Sequence, residues 1–361
     1  MPYQFNPVDR REFLATTSKG IAAITLPIID VPAMPLEMPM GIVVHSYANR
    51  WQSKVASQNY PGFANAIDLI EHCHKIGAGG IQVVVKEWTT DFARKVRDKR
   101  EKLGLYLEGS ISLPIKAEDV PVFEKEVVNA KEAGAVVLRT VTSPGRRYEA
   151  FHSPHEVEEF KKSALASLQL AEPVVRKHKV KLAIENHKDW RAGELVNALN
   201  KLNSERVGVT LDFGNSIALM EDPMAVMETL APFAFSTHVK DMGVEEYADG
   251  FLLSEVPLGK GFLDMPRIVA LCRQHNPGIK FNLEMITRDP LEIPCLKSDY
   301  WSVFDGVAGS ELARTLRMVK QNRYRPHLPR ISQLSEEDKL AIEEKNILEC
   351  LQYSKERLGI K

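Results

Sequence analysis

Four residues in the second half of this 361-residue chain invite a chemical reading: Glu185, Asp212, His238 and Glu284. Each follows a short, mostly apolar run, "KLAIE", "VGVTLD", "FAFSTH" and "FNLE". The intervals between them are 27, 26 and 46 residues. Alone, each has a bland explanation: a strand-end carboxylate is commonly solvated, an Asp caps a helix, and a lone His is more often structural. Together they need another. Three carboxylates brought together without a cation repel, and each raises its neighbours' pKa. A divalent cation removes that penalty. One imidazole with three carboxylates is an oxygen-rich, fairly hard ligand set. It suits Mn²⁺ first, then Mg²⁺, with Zn²⁺, Co²⁺ and Ni²⁺ compatible. The set contains no thiolate, which argues against a structural zinc site. A cation on a ketone oxygen and its neighbouring hydroxyl stabilises an enediolate, and a nearby carboxylate can then act as general base. Returning the proton to the other face epimerises. Returning it to the adjacent carbon isomerises. Expelling a β-leaving group makes the enzyme a dehydratase or lyase.

Such residues meet only if the chain converges on them. From residue 41 it alternates regularly. Apolar runs at 41–48, 81–85, 105–112, 135–142, 180–186, 207–215, 233–241 and 279–286 read as strands. Helical patterns fall at 62–80, 90–104, 122–134, 153–179, 192–202, 223–230, 265–275 and 308–322. Near-continuous apolar strands are buried on both faces, as in a parallel sheet. Eight such units in about 280 residues predict an α/β fold, the eight-stranded parallel (β/α)8 TIM barrel, whose strand C-termini share one mouth. A doubly wound sheet would carry a Gly-rich phosphate turn after its first strand, and "HSYANRWQSK" is not one. The long third interval holds an inserted loop, "GVEEYADGFLLSEVPLGKG". The catalytic barrel is expected over residues 40–322. A charged helical extension follows over 323–361, packed outside the barrel or in a subunit contact.

Further candidates for the mouth are His45, Glu108, Arg139, His187, Asn215 and Arg288 as substrate-binding groups. Glu185 and Glu284 are the candidate bases. Lys240 would hold a substrate oxygen or assist the enediolate, with Asp241 beside it facing the substrate or bracing the ligands. The net charge of -1 gives no basic excess for nucleic acid. The four cysteines, Cys73, Cys272, Cys295 and Cys350, lack CxxC spacing and read as lone thiols. At the N-terminus, Arg10 and Arg11 precede a mild apolar stretch too short to span a bilayer. Residues 1–35 therefore read as a twin-arginine signal, predicting export to the periplasm without stable membrane insertion.

The motifs "AIEN" (183–186), "LDFGN" (211–215), "HVKD" (238–241), "PLGKGFLD" (257–264) and "LEM" (283–285) make residues 40–322 resemble the sugar isomerase/epimerase superfamily. These are the xylose isomerase-like barrels, including ketose 3-epimerases, hydroxypyruvate isomerase and inosose dehydratases. The resemblance implies that Glu185, Asp212, His238 and Glu284 bind one divalent metal, and that the two glutamates exchange a proton on opposite faces of a sugar. Asn215 stands where ketose epimerases carry a substrate-binding His, which weakens the case for a free ketohexose. An endonuclease-like relative on the same barrel would need further histidines that "IQVVVKEW" and "LYLEGS" lack. A decayed, non-catalytic sugar-binding barrel would have lost a ligand, and all four are present. An exported barrel without a phosphate loop points to a free or oxidised sugar or a 3-keto-glycoside. Homo-oligomerisation stays open.

Overall fold

A computed structural model describes residues 38–143 and 145–361, so the export-signal reading of residues 1–35 lies outside the described residues. The eight barrel strands are β1 (Gly41–Val43), β2 (Gly80–Val84), β3 (Tyr106–Ser110), β4 (Val137–Thr140), β5 (Lys181–Glu185), β6 (Val207–Asp212), β7 (Ala234–Val239) and, after two strands outside the barrel, β10 (Lys280–Leu283). They close in the order β1-β10-β7-β6-β5-β4-β3-β2, every pairing parallel. This is the (β/α)8 barrel expected from the sequence. Ile81, Leu138, Leu182, Ile184, Val209 and Leu211 are fully buried, so the short strands can be apolar at nearly every position.

Helices α1 (Ala66–Lys75), α2 (Thr90–Leu103), α3 (Val120–Glu132), α4 (Pro154–His178), α5 (Ala192–Leu202), α6 (Pro223–Leu230), α7 (Met265–His275) and α8 (Gly309–Gln321) run between and after the strands. Their starts are set by local chemistry. The side chains of Thr89, Ser153 and Asp264 accept from the amides of Phe92, Glu156 and Arg267. α2 stops at Gly104, whose φ of 68° is left-handed and costs a glycine nothing.

Three local differences from the sequence reading bear on the site. β1 ends at Val43, and Val44–Tyr47 forms a 3-10 turn, so His45 sits on a turn rather than a strand. β6 ends at Asp212, and Asn215 opens the 3-10 turn Asn215–Leu219. The presumed loop after β7 is a hairpin, β8 (Asp241–Tyr247) against β9 (Gly250–Val256), joined by β11 (Leu291–Ile293) in a separate antiparallel sheet.

α9 (Glu336–Arg357) docks on the barrel's loops. Its Glu343 accepts from the Asn49 amide at 2.8 Å. Glu344 meets Arg50 at 2.7 Å and His72 at 3.1 Å. Asn346 donates to Thr287 Oγ1 at 3.0 Å. The helix thereby ties the segment after β1 to the segment after β10. All four cysteines are free and buried. No described helix is long and apolar enough to cross a membrane.

Candidate metal centre

Parallel register brings the strand ends together. Asp212 pairs with His238 across β6 and β7, and Glu185 with Thr210 across β5 and β6. Glu284 follows β10, beside β7. One ligand atom from each of Glu185, Asp212, His238 and Glu284 can be chosen so that all four lie within 4.8 Å of one another. His238 Nδ1 stands 3.5 Å from Glu185 Oε2, 3.8 Å from Asp212 Oδ2 and 3.4 Å from Glu284 Oε2.

Each side chain is held from behind. Asp212 Oδ1 accepts from the amides of Gly214 and Asn215, at 2.9 and 2.8 Å. Asn186 braces the Asp212 backbone on both its polar groups. His238 Nε2 lies 2.7 Å from Gln82 Oε1, and Gln82 Nε2 donates to Glu108 Oε2 at 3.1 Å. Because Gln82 spends its amide hydrogens on Glu108, its oxygen accepts from His238 Nε2–H. The free lone pair of a neutral His238 is then on Nδ1, facing the carboxylates.

His238 Nδ1 is buried and makes no hydrogen bond, and Asp212 Oδ2 beside it has the Lys240 ammonium, 2.7 Å away, as its partner. An orphaned buried polar atom is costly, and Nδ1 and Oδ2 are both atoms a cation would engage. The donor set fits one divalent metal: three carboxylates and an imidazole with its tautomer fixed.

Basic side chains share the cluster. Arg139 donates to Glu185 Oε2 through Nε at 2.7 Å and also through Nη2, and Asn215 Nδ2 donates to Glu185 Oε1 at 2.9 Å. Lys240 Nζ lies 2.7 Å from Asp212 Oδ2 and 2.5 Å from Glu284 Oε2. His45 Nδ1 meets Glu284 Oε1 at 3.1 Å. Burial works against ionising Glu185, yet Arg139 and His238 outweigh it and hold the carboxyl well below the usual range. Glu284 is likewise held low, burial being outweighed by His238 and Lys240. For Asp212 burial prevails over Lys240 and the pKa rises.

A cavity of about 260 Å³ opens above the cluster. Glu185, Glu284 and Lys240 line it, as do the predicted His45, His187, Asn215 and Arg288. Asp212 and His238 are fully buried and do not. Glu108 is a correction. It lies within the barrel beside Gln82, bonded to Gln82, Ser236 and Asn282, away from the cavity wall. Its position in mid-strand β3, rather than at the strand end, is the reason. Asp241 is another: its carboxylate accepts from the amides of Met242, Gly259, Gly261 and Leu263, anchoring the loop after β9 instead of facing a substrate. A Cβ on Gly261 would lie 2.1 Å from Asp241 Oδ1, so the cradle needs that glycine.

Sequence reasoning missed Lys188, which is buried, lines the cavity and donates to Asn215 Oδ1. It also missed Gln82 and Glu255, the latter bonded to Arg288. The signal for Glu255 was present: two seven-residue runs flank Ala248–Asp249, with Gly250 following, a hairpin signature.

The sequence model described as "xylose isomerase-like TIM barrel" matches residues 70–299. The chain belongs to this family. Among curated relatives of this xylose isomerase-like barrel is a 3-oxo-isoapionate decarboxylase of Pectobacterium atrosepticum, 24% identical over 73% of this chain and 92% of the relative. Solved structures share the fold. A D-psicose 3-epimerase from Clostridium cellulolyticum H10, determined with D-tagatose, has a TM-score of 0.54 at 12% identity, covering 79% of this chain and 97% of its own. A xylose isomerase-like barrel protein from Mycobacterium smegmatis, in complex with magnesium, has a TM-score of 0.51 at 16% identity, covering 77% and 98%.

Proposed function

We propose that the chain is a divalent-metal-dependent isomerase or epimerase that moves a proton through an enediolate of a keto sugar. One observation carries this reading: of the four clustered ligand residues, the two glutamates alone line the cavity, while Asp212 and His238 lie beneath it. When bound, a divalent cation, Mn²⁺ first, supplies polarisation of the ketone and charge stabilisation of the enediolate.

The chain's own residues do the rest. Glu284 touches half-exposed His45, which gives a proton on this carboxylate a path to solvent. Glu284 is therefore the proposed general base. Glu185 is oriented by Arg139 and Asn215 and is the proposed proton-exchanging carboxylate on the other face. Lys240, between Asp212 and Glu284, places an ammonium where the enediolate charge develops. His187, Asn215 and Arg288 are proposed to meet the sugar's hydroxyls. The twin-arginine reading supports an exported protein, and so a free or oxidised sugar as substrate.

A second reading, a lyase acting on a 3-keto-glycoside or inosose, is favoured by the likeness to a decarboxylase over 73% of this chain and 92% of that relative. Solvent deuterium incorporation into a panel of ketoses and 3-keto-glycosides separates the two. Label at a retained stereocentre or adjacent carbon supports the first, and label in a fragment or dehydrated product supports the second. A chain that takes up no Mn²⁺, Mg²⁺, Co²⁺ or Zn²⁺ by calorimetry and elemental analysis refutes both. Unchanged exchange in Glu284→Gln removes that residue from the base role.

A further inference from the structure

Most cations at the cavity are matched by the protein itself. Arg139 bonds Glu185, Lys240 bonds Glu284, Arg288 bonds Glu255, and Arg146 bonds Glu149. Lys188 is different. It is 3% exposed, and its side-chain partner among the described residues is Asn215 Oδ1, a neutral acceptor. An ammonium carries three donor hydrogens, and burying one without a counter-charge costs several kcal/mol by desolvation. Burial and nearby Lys240 press its pKa down to about 8. The fold thus keeps a cation on the wall of a cavity with no carboxylate in ion-pair contact, Glu255 and Asp212 acting on it only from longer range.

The local charge balance points the same way. Glu185, Asp212 and Glu284 are already matched in number by Arg139, Lys188 and Lys240. A divalent cation added to that set leaves two positive charges in excess. Deprotonating a bound ketose leaves this sum unchanged, because the proton that the enediolate loses stays on a glutamate, and a neutral sugar brings no charge of its own. A carboxylate on the substrate does.

We propose that Lys188 holds a carboxylate of the substrate, so that the cavity takes a keto-sugar acid rather than a neutral keto sugar. This rests on the reading of the cavity as the substrate site. Asn215 then has a defined task. Its side chain joins Lys188 to Glu185, setting the ammonium at a fixed place relative to the candidate metal ligands. The departure from the histidine of ketose epimerases at this position and the unmatched lysine become one feature.

The test uses non-reacting ligand pairs that differ at the carboxylate: D-gluconate against D-sorbitol, and D-glucuronate against D-glucose. Binding is measured by calorimetry on the full chain, metal-stripped and Mn²⁺-loaded. Wild type is expected to bind at least one acid about tenfold to hundredfold more tightly than its neutral partner, the range for a buried charge-assisted hydrogen bond. Lys188→Gln keeps a donor for Asn215 and removes the charge. It is expected to abolish the preference in both metal states, and Lys188→Met should do the same. Equal binding of acid and neutral ligand by wild type in both pairs overturns the proposal. So does a preference that survives in Lys188→Gln. If Mn²⁺ fails to bind but the Lys188-dependent preference is present, the metal reading falls and this inference stands. If Mn²⁺ binds and the preference is absent, the reverse holds.

Discussion

Gln82→Met isolates the device that orients the imidazole. Gln82 is buried and makes two contacts: its oxygen accepts from His238 Nε2 at 2.7 Å, and its nitrogen donates to Glu108 at 3.1 Å. Methionine fills similar volume but cannot accept that hydrogen bond. His238 Nε2–H is then a buried donor without a partner, and nothing fixes the tautomer that turns the Nδ1 lone pair toward Glu185, Asp212 and Glu284. Loss of the partner behind a ligating histidine typically costs tenfold to hundredfold in metal affinity, or about 1.4 to 2.7 kcal/mol. The unsatisfied donor should also lower stability by about 1 to 3 kcal/mol. Glu108 keeps Ser236 and Asn282 as donors, so the layer beneath should survive. The assay is the Mn²⁺ dissociation constant, by competition with a chromophoric chelator on metal-stripped protein, alongside thermal unfolding. Ser236→Ala is the control, because it loosens Glu108 without touching His238. A folded Gln82→Met protein with the wild-type constant would refute the role given to Gln82, and with it the reason for expecting Nδ1 to ligate.

Three other outcomes are expected. Arg139→Met should destabilise the protein by about 3 to 5 kcal/mol because it strands the buried Glu185 charge, and adding Glu185→Gln should restore much of the loss in a double-mutant cycle by denaturant unfolding; additive losses would argue against the pair. Burial pushes the Glu343 pKa up to about 7, only partly offset by Asn49. Its folded pKa thus exceeds its unfolded one, so its stabilising contribution is complete below the ordinary carboxylate range and is lost as pH rises through about 7. Thermal scans should show Glu343→Gln, which keeps an acceptor for Asn49, losing less stability than wild type between about pH 5 and pH 8; parallel curves would contradict this. Finally, replacing Arg10 and Arg11 by lysine should retain in the cytoplasm a folded reporter fused to residues 1–35, and continued export would rule out the twin-arginine reading.

The barrel was legible because both of its signals are local. Buried parallel strands such as Val207–Asp212 write themselves as unbroken apolar runs, and helix starts such as Ser153 carry their own caps. The candidate ligands were legible for a related reason: in this architecture a polar residue at a strand's C-terminal end has one place to go. Glu108 misled because type alone does not separate a mid-strand carboxylate from one at the rim, and the strand's end was set by pairing with β4 rather than by its own residues.

The sequence by itself determined the fold class, the order of the barrel's elements and the four candidate ligands. Periodicity and strand-end position are properties of a single strand or helix, readable without its neighbours. The tertiary structure decided the electrostatics. The clamp of Arg139 on Glu185 crosses from β4 to β5, and Lys240 reaches from β7 to a carboxylate after β10. Gln82 fixes His238 from the far side of the barrel, and α9 returns to tie down the segment after β1. Nor did anything in "ENHKDW" reveal that Lys188 would be buried with only an amide oxygen for company. Burial and counter-charge depend on what the rest of the chain brings within a few ångströms, and in this barrel those partners come from strands far apart in sequence.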